Sequence, residues 1–199
     1  MLSKSEITSK FIIETIAPIF NKKGYTATSM ADITNATGLT KGAIYGNFDN
    51  KESLAIAAFQ KNVNDLLKRI TIHQEQSKSP LQKLYLITDF YRNYYHFSKE
   101  LGGCPILNIG VDANNQDTAL LEEVRNVINK TQNNIAKLID WGKDIGEMKL
   151  TMDSQKFAKQ LYSHIQGAIF MTYTMDDSDY LLQAMDEIDE FIDSDIATS

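Results

Sequence analysis

Apolar residues recur every three to four positions along almost the whole chain, and few residues interrupt the pattern. One stripe contains Ile7, Phe11 and Ile19, and another contains Phe59 and Val63. Only three prolines occur in 199 residues, and no stretch shows the alternation bounded by turn residues that is typical of strands. The sequence therefore predicts an all-α protein of about nine helices.

Residues that commonly begin or end helices stand at the ends of these stripes. Gly24 is placed to end the first helix, and the motif Ser79-Pro80 to begin a later one. A Tyr-rich helix is predicted from Leu81 to Phe97. The predicted N-caps are Ser29, Thr40, Asp49, Ser79, Cys104, Asp117 and Asp153.

The predicted helices become unusually short between residues 24 and 51. A helix of about ten residues, 28–37, precedes the turn Gly38-Leu39-Thr40 and a helix over Lys41–Asn47. Two short helices around a glycine-containing turn form a helix-turn-helix, whose second helix enters the major groove of DNA. An ordinary helical hairpin is the alternative, but it has no reason to concentrate such polar residues on one exposed helix.

The side chains predicted to face outward suit DNA. Lys41 offers a charge, Tyr45 a hydroxyl for a phosphate, and Asn47 a donor for a phosphate or a base edge. Small residues beside them would let the backbone approach a groove wall. The predicted DNA contacts are Thr28, Ser29, Thr40, Lys41, Gly42, Ala43, Tyr45, Asn47 and Lys51.

Three segments in this region resemble a known family. The runs GYTATSMADI (24–33), GLTKGAIYGNF (38–48) and KESL (51–54) are similar to the N-terminal signature of the TetR/AcrR family of bacterial repressors. The sequence departs from that signature at Thr34, Thr37, Pro18 and the pair Gly46-Asn47. The resemblance implies a three-helix DNA-binding domain over residues 1–50 and a helical effector-binding and dimerisation domain over residues 51–199.

The second region contains candidates for an effector site. Five aromatic residues between Phe90 and Phe97 lie on more than one helix face, so they either line a pocket or form a thick core. Cys104 precedes Pro105 at a predicted helix start, where its thiol is either a sensor of oxidants or an inert apolar group. The predicted effector-pocket residues are Tyr91, Tyr94, Tyr95, Cys104, Asn108 and His164.

The last two predicted helices, 153–173 and 177–193, are long and amphipathic. The family resemblance implies that they form a four-helix bundle with the same pair of a second subunit. The residues predicted for that dimer interface, which could equally belong to an intramolecular core, are Phe157, Leu161, Ile165, Ala168, Leu181, Met185 and Ile188.

Charge and composition narrow the remaining possibilities. The net charge is −6, but residues 1–70 have nine basic and six acidic side chains, a local charge of +3 that leaves −9 elsewhere. The three histidines and the one cysteine share no ligand spacing, so neither a metal site nor a cofactor is expected. Catalytic patterns are absent, no apolar run is long enough for a membrane span, and nothing indicates export, so a cytoplasmic location is expected.

Together these observations predict a homodimeric, ligand-responsive transcriptional regulator, most simply a repressor of a pseudo-palindromic operator. Its partners would be double-stranded DNA, a small effector and a second copy of the chain, and no membrane is expected among them. A helical carrier protein that has lost DNA binding is the competing interpretation, and an enzyme is a further alternative.

Overall fold

The computed structural model describes residues 3–99, 101–114 and 118–198. These residues form ten α-helices and one five-residue π-helical turn, without a named strand, so the all-α prediction is confirmed. The helices are α1 (Lys4–Ala27), α2 (Met30–Thr37), α3 (Lys41–Tyr45), α4 (Lys51–Gln74), α5 (Pro80–Arg92), α6 (Tyr94–Lys99), α7 (Pro105–Ala113), α8 (Ala119–Asp144), α9 (Ser154–Met175) and α10 (Asp179–Phe191), and the π-helical turn is Ile192–Ile196.

The chain divides into two compact units. The first comprises the described residues of Met1–Leu66 and Glu100–Asn126, and the second those of Leu67–Lys99 and Val127–Ser199. Helices α4 and α8 contribute residues to both units. The predicted functional boundary at residue 50 remains a prediction, because compactness does not report which residues bind DNA.

In the first unit, α1 packs against α2 and α7. Ile12, Ile16 and Phe20 of α1 are almost completely buried. At the start of α1, the hydroxyl of Ser3 accepts the N–H of Glu6 while the Glu6 carboxylate accepts the N–H of Ser3, which forms a reciprocal cap. Gly24 has a φ of 81°, so it interrupts the helical backbone near the predicted position.

In the second unit, α10 packs against α9 and α5. A row of polar bonds follows the α5–α10 contact. The Arg92 guanidinium donates to Asp186 at 2.8 Å and Asp189 at 2.7 Å, and the Thr88 hydroxyl donates to Asp189 at 2.6 Å. The Tyr85 hydroxyl donates to Asp193. Several acidic residues near the C-terminus therefore hold α10 against α5.

Several predicted helix ends are confirmed, and others need correction. Ser79 and Asp153 cap α5 and α9, each accepting the backbone N–H three residues on. The predicted Tyr-rich helix is two helices, because the chain breaks at Asn93. Asp49 does not cap α4: the Asn50 side chain accepts the N–H of Ser53, and the Ser53 hydroxyl accepts that of Asn50. Asp117 lies outside the described residues.

Across the ranges described, no helix is both long and apolar enough to cross a bilayer.

Candidate nucleic-acid interface

The segment between α1 and α4 is built on local capping. Ser29 begins α2 with a reciprocal cap, in which its hydroxyl accepts the Asp32 N–H at 3.1 Å and the Asp32 carboxylate accepts the Ser29 N–H at 2.8 Å. Gly38 ends α2 in the left-handed conformation, with a φ of 68°, and its N–H donates to Thr34. The Thr40 hydroxyl then caps α3 by accepting the N–H of Ala43 at 3.2 Å. Two short helices meet at a tight turn, as predicted.

Helix α3 is anchored by one buried apolar side chain, and its other four residues are exposed. Ile44 is completely buried, which anchors a helix of only five residues that could not be stable alone. Lys41, Gly42, Ala43 and Tyr45 are exposed, and so is the cap residue Thr40. The Lys41 ammonium lies 5.7 Å from the centre of the Tyr45 ring. We call this exposed set, residues 40–43 with Tyr45, the α3 face.

Thr28 and Ser29 precede the α3 face in sequence but differ in exposure. Thr28 is completely buried, and its hydroxyl donates to the Gly24 carbonyl at 2.6 Å. That hydroxyl is therefore occupied inside the protein, and this conformation does not offer it to a phosphate. Ser29 is exposed, although its hydroxyl also donates to the Asp32 carboxylate at 2.7 Å.

Lys51 has an internal role that the sequence did not indicate. Its ammonium donates to the Tyr25 carbonyl at 2.7 Å and lies 4.5 Å from the centre of the Tyr25 ring. Partial burial lowers the pKa of Lys51, opposed by the charges of Asp112 and Asp32. This lysine fixes the chain before α2, which differs from the exposed positive flank predicted for it.

Asn47 also faces the protein. Its amide nitrogen donates to the Ala43 carbonyl at 2.9 Å, while its amide oxygen accepts the hydroxyls of Ser5 at 3.1 Å and Ser9 at 3.0 Å. Its oxygen and one of its N–H groups thus link α3 to α1, a role that the sequence did not indicate; the predicted contact with a phosphate or base edge stays a prediction. Sequence reasoning missed Ser5 and Ser9 because they lie about 40 residues away.

The three predicted pocket tyrosines lie in the second unit and are buried. Tyr94 packs against Tyr91 and Phe97 with ring centres 5.3 and 5.2 Å apart, and all three adjoin Phe90. The Tyr95 hydroxyl donates to Asp176 and accepts from Lys99. His164, in the same unit, is exposed and lies 3.4 Å from Glu187. The tyrosines therefore pack largely with one another and with neighbouring aromatic rings.

Cys104 and Asn108 belong to the first unit. Cys104 is buried at the start of α7, where its side chain makes no capping hydrogen bond. The Asn108 amide donates to the carbonyls of Asn21 and Gly102 at 3.0 and 2.7 Å, so it binds the protein's own backbone. A surface groove of about 470 Å³ lies between α1 and α4 in this unit, but none of the six predicted pocket residues lines it.

The seven residues predicted for the dimer interface are part of the intramolecular core. All are at most 8% exposed in the single chain, because the apolar stripes of α9 and α10 pack against each other. A helical stripe identifies a buried face but not the chain that covers it. These residues are Phe157, Leu161, Ile165, Ala168, Leu181, Met185 and Ile188. Within the described part of the chain, no group of three or more His, Cys, Asp or Glu side chains could hold a metal ion.

An exposed α3 face on a capped and internally anchored helix-turn-helix defines a DNA-binding protein. Comparisons with known proteins agree. Residues 12–58 match the family model described as bacterial regulatory proteins, tetR family, and residues 80–188 match the tetracyclin repressor-like C-terminal domain. The chain belongs to the TetR family and is a DNA-binding transcriptional regulator, as the sequence resemblance implied. The members of this family are regulators rather than enzymes.

Solved structures and a curated relative extend the similarity to most of the chain. A TetR family transcriptional regulator from Cytophaga hutchinsonii is 32% identical, with a TM-score of 0.91 and complete coverage of both chains. A TetR regulator from Chloroflexus aurantiacus J-10-FL is 28% identical, with a TM-score of 0.92 and the same coverage. The transcriptional repressor DhaR of Mycobacterium sp. (strain GP1) is 25% identical over 79% of this chain and 78% of that protein.

Proposed function

We propose that this regulator is a ligand-responsive repressor that binds a pseudo-palindromic operator as a homodimer in the cytoplasm. Residues 1–50 bind DNA, and residues 51–199 bind the effector and the second subunit. Two-fold symmetry is required because two recognition helices must reach successive major grooves, roughly 34–36 Å apart. The similarity to the repressor DhaR supports repression as the output.

The exposed α3 face is the observation that carries this proposal. Lys41 and Tyr45 provide a positive charge and a hydroxyl for phosphate oxygens, while Gly42 and Ala43 add almost no bulk between the helix and a groove wall. Thr28, Asn47 and Lys51 support this face from inside the protein. The operator contacts we propose are therefore Lys41, Gly42, Ala43 and Tyr45, with Ser29 and Thr40 at the helix starts.

Effector binding belongs to the C-terminal region in this proposal. The rings of Tyr91, Tyr94 and Tyr95 are apolar with a few polar groups, which suits a small organic ligand, and such a ligand would have to separate rings that pack together in this structure. A ligand changes operator affinity only if it binds two conformations of the protein unequally. We therefore expect the effector to bind more tightly to a conformation with low affinity for the operator.

The homodimer would use the face of α9 that the chain leaves uncovered. Ser163, Gly167, Phe170 and Thr174 share this face at helical spacing, and all four are exposed. Phe170 is 48% exposed, and a Cβ added at Gly167 would meet nothing within 4 Å. A bare glycine beside an exposed aromatic ring allows a second helix to approach closely, which supports α9 as the contact between subunits.

The test begins with selection of the duplexes that the full-length protein retains from genomic DNA of its source. Affinity for the selected duplex is then measured for Tyr45→Phe and Lys41→Ala. Each change removes one phosphate contact per subunit, worth about 1 kcal/mol, so a dimer should bind about 30-fold more weakly.

Lys137→Ala is the matched control, because Lys137 is exposed on α8, outside the proposed interface. It should bind like the wild type. Unchanged affinity in both Tyr45→Phe and Lys41→Ala would refute the assignment of the α3 face to DNA.

A further inference from the structure

The turn between α1 and α2 determines how the helix-turn-helix is oriented on the rest of the first unit. Gly24 leaves the helical conformation with a φ of 81° and a ψ of 169°, and Thr28 is extended before the Ser29 cap. We call residues 24–28 the linking turn. Any change in these backbone angles redirects α2, and α3 moves with it because the two helices share a tight turn.

A carboxylate on α7 holds this turn. The Oδ2 atom of Asp112 accepts the backbone N–H of Thr26 at 2.9 Å. A Cβ added at Gly24 would lie only 3.1 Å from the same oxygen, so glycine leaves the room that the carboxylate occupies. The intervening residue, Tyr25, is bound by Lys51 of α4, whose ammonium donates to the Tyr25 carbonyl and lies over the Tyr25 ring. Two consecutive residues, Tyr25 and Thr26, are thus held from two other helices, and Gly24 leaves room for the carboxylate.

Helix α7 is itself fixed along α1. Asn108 lies one helical turn before Asp112, on the same face of α7. The Asn108 amide donates to the Asn21 carbonyl, and the buried Asn21 amide donates to the carbonyls of Leu101 and Gly103 at 2.7 and 3.1 Å. These amide bonds place the Asp112 carboxylate against the linking turn and limit its freedom to move away.

We propose that Asp112 is a positioning residue for operator binding: by accepting the Thr26 N–H it fixes the linking turn, and so the orientation of α2 and α3. This inference rests on the proposed function. A pre-oriented α3 loses less conformational freedom on binding DNA, so the bond raises operator affinity. Asp112 lies in the segment matched by the C-terminal family model and Thr26 in the segment matched by the N-terminal one, so this bond directly joins the two.

Asp112→Ala tests the proposal through two measurements on the full-length protein. Affinity for the selected operator duplex should fall about 100-fold, which is about tenfold for each of the two subunits of the dimer. Hydrogen exchange of the Thr26 amide, followed by NMR without DNA, should accelerate. Asp112→Asn keeps an acceptor oxygen at the same position, so its operator affinity and its exchange rate at the Thr26 amide should both change much less. Val111→Ala, at an adjacent residue that is 66% exposed, should match the wild type.

Other results would overturn the proposal. An Asp112→Ala protein that exchanges the Thr26 amide faster but binds the operator within twofold of the wild type would show that the bond does not position α3. Equal losses in Asp112→Asn and Asp112→Ala would show that charge, rather than the hydrogen bond, is responsible.

If Asp112→Ala does not fold, as judged by circular dichroism, Gly24→Ala is the second variant. It strains the same turn and should lower operator affinity; unchanged operator affinity in Gly24→Ala would also refute the role of the turn. A wild-type protein that retains no duplex would instead refute the proposed function.

Discussion

Individual side chains in the helix-turn-helix divide into those that face outward and those that hold the backbone. Residue type alone does not separate them, because Asn47 and Lys51 are as suitable for DNA as Lys41 is. The distinction comes from partners far away in sequence, such as Ser9 for Asn47 and Tyr25 for Lys51. Caps such as Ser29 and Thr40 could be predicted, because their partners lie only three residues away.

Asn47→Ala should destabilise the folded protein by about 1 kcal/mol, because the link between α3 and α1 is lost while its former partners keep access to water. Chemical denaturation measures this change. Asn134→Ala, at an exposed position on α8, is the control and should leave the free energy of unfolding unchanged. If Asn47→Ala and Ser9→Ala are fully additive in a double-mutant cycle, the two side chains do not interact.

Periodicity and caps predicted most of the helices. They did not predict the features that depend on contacts between residues far apart in sequence. The apolar stripes of α9 and α10 were predicted correctly, but the partner that covers them is the other helix of the same chain. The break between α5 and α6 follows no proline or glycine; the chain turns at Asn93 while the tyrosines on both sides pack together. Tertiary packing, which sequence spacing does not report, determines both features.

The start of α2 should make stability depend on acid pH. Hydrogen bonds from Lys23 and from Ser29 hold the pKa of Asp32 well below its ordinary value of 3.8. The ionised carboxylate therefore stabilises the folded state at pH values above 3.8, and this contribution is lost as the pH falls through the lower folded pKa.

Asp32→Asn should consequently be less stable than the wild type at neutral pH, and the difference should shrink as the pH falls below 3.8. Unfolding curves recorded from pH 7 to pH 2 measure it. Asp49→Asn, at an exposed position in the same segment, is the matched control and should be as stable as the wild type. A stability difference between Asp32→Asn and the wild type that is independent of pH would contradict the capping role of the carboxylate.

The whole molecule combines a weakly basic DNA-binding region with an acidic remainder. Its net charge of −6 does not oppose DNA binding, because residues 1–70 have a local charge of +3 and the excess of acidic side chains lies in the remainder of the chain. Within the basic region, Lys23 and Lys51 are bonded internally. The local charge of this region is only +3, so operator affinity should depend on two subunits binding together.

Phe170→Asp should therefore dissociate the homodimer, because it places a charge at the centre of the uncovered α9 face. Sedimentation equilibrium should show a shift from dimer to monomer, and affinity for the two-half-site operator should fall in parallel. Ile145→Asp, at a residue that is 51% exposed outside α9, controls for the loss of surface apolar area. A Phe170→Asp protein that remains dimeric would place the interface elsewhere.

If α3 of each subunit contacts operator phosphates, operator binding should depend on salt in a way that changes when Lys41 is removed. The logarithm of the binding constant is measured against the logarithm of salt concentration for the wild type and Lys41→Ala on the selected duplex. Operator binding by the wild type should weaken steeply as the salt concentration rises. Because each dimer would lose two phosphate contacts, the slope for Lys41→Ala should be smaller by about 2. Identical slopes and affinities for the two proteins would show that Lys41 of α3 does not contact operator phosphates.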